Sequence, residues 1–278
     1  MEKKVFAKFG FGFAIALILV LFCSAGVSLA GGGVDYGDVQ STSPESGKRV
    51  TVGAGVAVVP DYEGSDDYEA FPLLHFRMAW ANGRYLDFTG NRLKYNFMAD
   101  SNWSIGPMAR YRGKRDDDVE EDAVAEMKEV DAAIELGGFV AYNFGENFEI
   151  GANLVQDVAD GHDGYLLGFH VGYKIHMEKM MIGLKGFTTF VNNDYMEAYF
   201  SVNGNNVGNS SLDYYDADDG FKDVGITCVL SYQINNSWGA TGVLGYTRLI
   251  GDAEDSPVVD DVGDANQLLG GIMATYRF

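Results

Sequence analysis

The stretch Gln267-Leu268-Leu269-Gly270-Gly271-Ile272-Met273-Ala274-Thr275-Tyr276-Arg277-Phe278 closes the chain, and its reading decides the fold. Leu268, Gly270, Ile272, Ala274, Tyr276 and Phe278 fall on one face of an extended strand, because side chains alternate sides with a period of two. An apolar face that ends on a terminal aromatic serves little purpose in a soluble domain. It resembles the signal that barrel-assembly machinery reads in bacterial outer-membrane proteins, so Tyr276 and Phe278 are assigned as an assembly signal and that machinery as an expected partner.

The same alternation recurs upstream. Strand 164 to 177 sets Tyr165, Leu167, Phe169, Val171, Tyr173 and Ile175 against His170, Lys174 and His176. Strand 131 to 144 sets Ile134, Leu136, Val140 and Tyr142 against Asp131, Glu135 and Asn143. Further strands are expected at 48 to 60, 70 to 81, 84 to 89, 92 to 99, 103 to 113, 148 to 157, 180 to 191, 220 to 234, 238 to 249 and 266 to 278. Tight turns at Asn82-Gly83, Asp100 to Asn102, Gly145 to Asn147, Glu178-Lys179 and Asn235 to Ser237 alternate with long acidic connections at 61 to 69, 114 to 130, 158 to 163, 192 to 219 and 250 to 265. Gly90-Asn91 is the short exception. Short turns at one end and long loops at the other, with an even strand count, predict an all-β fold: an antiparallel transmembrane barrel of about 12 strands, with 10 as the alternative. Gly106 with Tyr111, Gly137 with Tyr142, Gly168 with Tyr173 and Gly271 with Tyr276 suit a packed lumen and a tyrosine girdle at the membrane interface. A soluble sandwich with edge tyrosines is the competing reading of the same placement.

Composition agrees. The 278 residues hold 36 Gly, 16 Tyr and 18 Phe but 5 Pro, and hydrophobic residues make up 47%. That texture suits many strands and turns and disfavours a helix bundle. A formal charge of −20 repels phosphate backbones, so nucleic acid is excluded as a partner.

Lys3, Lys4 and Lys8 precede an apolar run from Phe11 to Phe22, and Ser28-Leu29-Ala30 supplies small residues for cleavage. Residues 1–30 read as a cleaved export signal, 31–47 as a flexible periplasmic lead, and 48–278 as the barrel. Cleavage removes Cys23 and leaves Cys228 alone, so the exported chain has no intramolecular disulfide. The location expected is the bacterial outer membrane, with its lipid as a partner.

The runs Gly53-Ala54-Gly55-Val56-Ala57-Val58-Val59-Pro60-Asp61-Tyr62-Glu63-Gly64-Ser65, Leu86-Asp87-Phe88-Thr89-Gly90-Asn91-Arg92-Leu93 and Gly106-Pro107-Met108-Ala109-Arg110-Tyr111-Arg112 also carry a resemblance. With Val130 to Glu135, Gly251 to Pro257 and the closing Tyr276-Arg277-Phe278, they resemble the MipA/OmpV family across the mature chain. The resemblance implies an outer-membrane protein. The family's best-described member is a scaffold between a murein hydrolase and a murein synthase, and other members are porin-like or adhesive. It supplies no catalytic set.

Candidate functional residues are the charges expected to face the lumen: Arg77, Asp87, Arg92, Lys94, Arg110, Arg112, Asp131, Glu135, Lys174 and Lys185, with Glu149. They either pair across the interior into a plug or line a narrow aqueous path, and pairing is the expectation because an unpaired charge in a confined lumen is costly. His75, His170 and His176 are read as satisfied lumen residues, and His162 as a solvated loop residue. The run Asp116 to Asp122 lacks the spaced ligands of a calcium loop and is read as a solvated charge run, as are Asp216, Asp218, Asp219, Asp260, Asp261 and Asp264. No metal, cofactor or catalytic residue is assigned. The leading expectation is a non-enzymatic scaffold; the alternative is a small diffusion channel, and a lipid-modifying barrel enzyme is third.

Overall fold

The structure, a computed structural model, describes residues 47–100 and 102–278. The expected export signal and nearly all of the expected lead lie outside them. Twelve antiparallel strands close into a barrel in which each strand pairs with its sequence neighbours and β1 pairs with β12. They are β1 (Lys48–Pro60), β2 (Tyr68–Trp80), β3 (Tyr85–Thr89), β4 (Arg92–Asn96), β5 (Trp103–Arg112), β6 (Ala133–Phe144), β7 (Phe148–Asp157), β8 (Tyr165–His176), β9 (Met180–Val191), β10 (Gly220–Gln233), β11 (Trp238–Leu249) and β12 (Asn266–Arg277). Closure pairs β1 with β12 and so removes the free strand edge, the condition for spanning hydrocarbon with strands. The alternative of 10 strands is thereby corrected to 12.

Alternation fixes which face meets lipid. Val56 and Val58 on β1, Leu230 on β10, Leu244 on β11 and Ile272 on β12 are exposed, while their neighbours Ala57, Val59, Val229, Val243 and Met273 are buried. At the short-turn end, outward aromatics stack in pairs: Trp103 on Tyr142 at 4.7 Å, Tyr142 on Phe144 at 4.7 Å, and Trp238 on Tyr276 at 4.9 Å. These rings form part of the interfacial girdle expected where strands leave the hydrocarbon.

Two departures from regular strands shape the interior. The β3–β4 hairpin is short and turns at Gly90, whose φ of +60° suits a residue without Cβ. In β10 the register shifts between Phe221 and Asp223, so Lys222 is the extra residue of a bulge. Strict alternation would send Lys222 to the lipid face; the bulge buries Lys222 and Asp223 together on the inside.

The long connections fold. The β5–β6 connection carries helix α1 (Asp122–Ala125), the β9–β10 connection α2 (Asn193–Tyr199), and the β11–β12 connection a 3-10 turn (Gly251–Ala253) and α3 (Pro257–Asp260). Tyr62, Val119, Val124, Met127, Val202 and Val258 pack as a buried apolar cluster, which joins four of the connections into one cap. Glu121 and Ser256 cap α1 and α3 by accepting from the backbone N–H of Ala123 and Val258.

Candidate functional site

The interior beneath the cap is filled by a buried charge network. Glu135, on β6, has a fully buried side chain and accepts from both arginines of β5: Arg110 through Nε, and Arg112 through Nε at 2.9 Å. The pairing follows from register, because Arg110 lies directly opposite Glu135 and Arg112 is the next inward position along β5. His162 Nδ1 accepts from the Gly164 N–H at 3.0 Å, which leaves the proton on Nε2 to donate to Glu135 at 3.1 Å.

A second set descends from the cap. Glu63, in the β1–β2 connection, accepts from Lys222 and from the Tyr195 hydroxyl of α2, with Arg112 3.7 Å away. Burial alone would raise the Glu63 carboxyl, but the charges of Lys222 and Arg112 and the hydrogen bonds from Lys222 and Tyr195 hold it below the ordinary glutamate range. Burial pushes the Tyr195 hydroxyl well above its usual value, so it stays a donor. Lys222 also donates to Asp223 at 2.6 Å. The Arg112 guanidinium sits 5.0 Å and 5.5 Å from the Tyr195 and Tyr199 rings, and buried Arg115 donates to the carbonyls of Tyr199 and Ala198. The residue Gly64, at φ +103°, lets the connection turn so that its N–H reaches Gln267 on β12 at 3.2 Å.

Nearer the short turns the charges pair again. Arg77 donates to Asp87 at 2.9 Å; Thr89 donates to Asp87 and bonds His75 Nδ1 at 2.8 Å. Glu149 holds Lys174 and His170, each at 3.4 Å. Lys94 lies over the Phe139 ring, and Lys185 is buried on β9. The partly buried Arg92 stands opposite Arg110 in register. Asp131 is a correction: it is exposed, because β6 begins at Ala133 and Asp131 belongs to the connection before it. His162, read as solvated, is a second correction, its ring being fully buried against Glu135 and Tyr195. The acidic run is not uniformly solvated either, since Asp116 is buried against Lys114. His176 is exposed at the short-turn rim.

Two cavities lie along the axis. A cup of about 260 Å³ opens at the short-turn end and is lined by Thr51, Ser231, Thr241 and Thr275. A chamber of about 40 Å³ lies under the cap, between Glu63, Arg112, Lys222, Thr227, Thr247 and Leu269. Between them the inward positions turn apolar. On β10 the order is Ser231, Val229, Thr227, and on β11 Thr241, Val243, Gly245; Val229, Val243, Leu269 and Met273 join Ala57, Val59, Phe71 and Leu73 in one buried cluster. Among the described residues, Arg110 Nη2, both terminal nitrogens of Arg112 and Asp223 Oδ1 find no hydrogen-bond partner, which suits a chamber with room for about three waters.

A closed 12-strand wall with an apolar outer belt, an aromatic girdle and loops gathered at one end defines an outer-membrane β-barrel protein. The chain belongs to the MipA family: the family model described as MltA-interacting protein MipA matches residues 52–278. It is similar to the outer membrane protein Omp26La of Vibrio anguillarum, at 25% identity over 194 residues that cover 69% of this chain and 72% of the relative. OmpV of Vibrio cholerae is likewise 25% identical over 188 residues, covering 67% and 71%. Among solved structures, the KdgM porin aligns with a TM-score of 0.41 at 10% identity, covering 82% of this chain and 99% of that one. An outer membrane channel from Pseudomonas putida F1 aligns at 0.44 with 13% identity, covering 88% and 100%. The protein is located in the outer membrane.

Proposed function

We propose that this protein works by contact and not by conduction or catalysis: an envelope interaction protein whose barrel is an anchor with a closed lumen. The observation that carries the reading is the sealed stack inside the wall, where the apolar layer of Val229, Val243 and Met273 lies under the paired charges of Glu63, Lys222, Arg112 and Glu135. Buried charges that are already paired with one another do not line an open aqueous path, and a packed apolar constriction excludes water and ions. The family description names MltA as a partner of its namesake, which supports a link to murein-hydrolysing and murein-synthesising machinery. Co-purification from detergent-solubilised envelopes tests it: a murein hydrolase or synthase retained by the wild type supports the scaffold, and its absence after mild crosslinking counts against it.

A second reading is a small diffusion channel. Only the apolar layer of β10 to β12 lies between the linings of the cup and the chamber, so a rearrangement of those side chains would join them into a path. Steady conductance of the purified protein would favour it.

A further inference from the structure

At the short-turn end the wall of β10, β11, β12 and β1 carries small inward residues. Gly53 and Gly239 both stand opposite Thr275 in register, and Ser231 stands opposite Thr241, their hydroxyls 3.1 Å apart. These positions hollow out the cup of about 260 Å³. The apolar layer of Val229, Val243 and Met273 closes its inner end, so the cup is blind, and in an outer-membrane barrel the short-turn end faces the periplasm. Met273, in that layer, and Arg277, at the mouth, are both inward on β12, which makes the cup about 10 Å deep once strand tilt is allowed for.

Charge at the mouth runs against the rest of the chain. Acidic residues outnumber basic ones by 40 to 20 overall, yet among the described residues the charged side chains of the lining, His176 apart, are Arg277, Lys179 and Glu178. Arg277 holds an inward, half-buried position opposite Thr51. Arg49, the next inward position on β1, lies diagonally across from it, close enough for the two charges to repel. Two like charges held side by side at the mouth of a hollow raise its potential for an anion.

We propose that the cup takes the C-terminal end of a partner protein's chain, the terminal carboxylate drawn in by Arg277, Arg49 and Lys179. The inference rests on the reading of the barrel as a contact protein, and it names the place and the chemistry of the contact. A blind cup admits the end of a chain and not its middle, and the cations favour a carboxylate end over an ammonium end. Ligand pockets run from about 300 to 1,000 Å³, so a cup of about 260 Å³ suits a chain end and not a folded segment. Its depth matches about three extended residues. The hydroxyls of Thr51, Thr275, Ser231 and Thr241 supply hydrogen bonds for the carboxylate and the last peptide groups.

Fluorescence anisotropy with the purified protein in nanodiscs tests this, using the peptide Gly-Ala-Ala labelled at its N-terminus so that the dye stays outside the cup. The free acid should bind saturably, and the C-terminal amide about tenfold more weakly. Arg277→Gln should weaken the free acid about tenfold and Lys179→Gln about threefold, whereas Arg84→Gln, which removes an exposed charge from another short turn, should leave it unchanged. Thr241→Leu, which fills the floor, should abolish binding. Unboiled gel mobility confirms folding of each variant; where Arg277→Gln or Thr241→Leu fails there, Lys179→Gln, in an exposed turn, carries the test together with the amide. No saturable binding, equal binding of acid and amide, equal weakening by Arg84→Gln and Lys179→Gln, or tighter binding of the same peptide ending in D-Ala, the chemistry of murein, would overturn the proposal. Any of these results with a murein hydrolase or synthase still retained by the wild type would overturn it and leave the contact reading standing.

Discussion

The Lys222 ammonium donates to the Glu63 carboxylate across 159 positions of sequence, and this bond ties the β1–β2 connection to β10, three strands from β1 around the closed wall. Both side chains are buried, and the Lys222 ammonium serves two buried carboxylates at once, Glu63 and Asp223. Lys222→Met should therefore cost about 3–5 kcal/mol, because it takes the shared ammonium from two buried carboxylates, and Lys222→Met with Glu63→Gln should cost less than the two single losses added. Urea unfolding in lipid vesicles, followed by tryptophan fluorescence, measures both.

Acid should loosen the cap. Glu63 has a carboxyl held below its unfolded range, so its contribution is present above the unfolded value and is lost as pH falls through the lower folded value. Protease cleavage within the 61–67 and 113–132 connections should stay low at pH 7 and rise only below the ordinary glutamate range. Glu63→Gln should cleave readily at pH 7 and show a flatter profile.

The apolar layer should be worth more than the lipid face. Leu73 is buried among Val59, Phe71 and Met273, so Leu73→Ala should destabilise by about 2–4 kcal/mol. Leu244, 69% exposed on the outer face, loses only lipid contact, and Leu244→Ala should cost less than about 1 kcal/mol. The same urea titration separates them, and equal costs would mean that the layer is not packed.

Deleting Phe278 should reduce outer-membrane levels far more than Asp118→Asn does. The Phe278 ring is 76% exposed and touches Tyr276 at 4.9 Å, so the folded barrel gains little from it and its use falls before folding is complete. Asp118 is an exposed loop residue 3.9 Å from Lys114. Quantitative blotting of outer-membrane fractions decides, and equal levels would remove the assembly role.

Much of the wall is legible in the sequence because a period of two with apolar residues on one face admits few alternatives. Strands β1, β7, β9 and β11 begin and end where alternation places them. Arg110, Arg112 and Glu135 are legible for the same reason, since inward positions on neighbouring strands meet in register. The rest of the site comes from segments without a period. Glu63, Tyr195, Tyr199 and Arg115 sit in connections whose fold is set by packing in the cap, and local sequence gives no sign of which ones turn inward. Lys222 is hidden by the bulge, although two adjacent charges inside an otherwise apolar strand are a signal that alternation fails there. His162 and Asp131 go the other way. One loop residue is drawn in by Glu135, and one expected strand residue is left outside because pairing starts two positions later.

The closed lumen is the central claim, and planar-bilayer recording of the purified protein tests it most directly. In 1 M salt, where the Debye length is about 3 Å and the acidic loops cannot set the current, the wild type should show no steady conductance, and Arg110→Ala with Arg112→Ala should bring openings by leaving Glu135 and Glu63 to draw in water. A large, steady wild-type conductance with an anion preference, weakened by the same two replacements, would contradict the account and make those arginines the lining of a path.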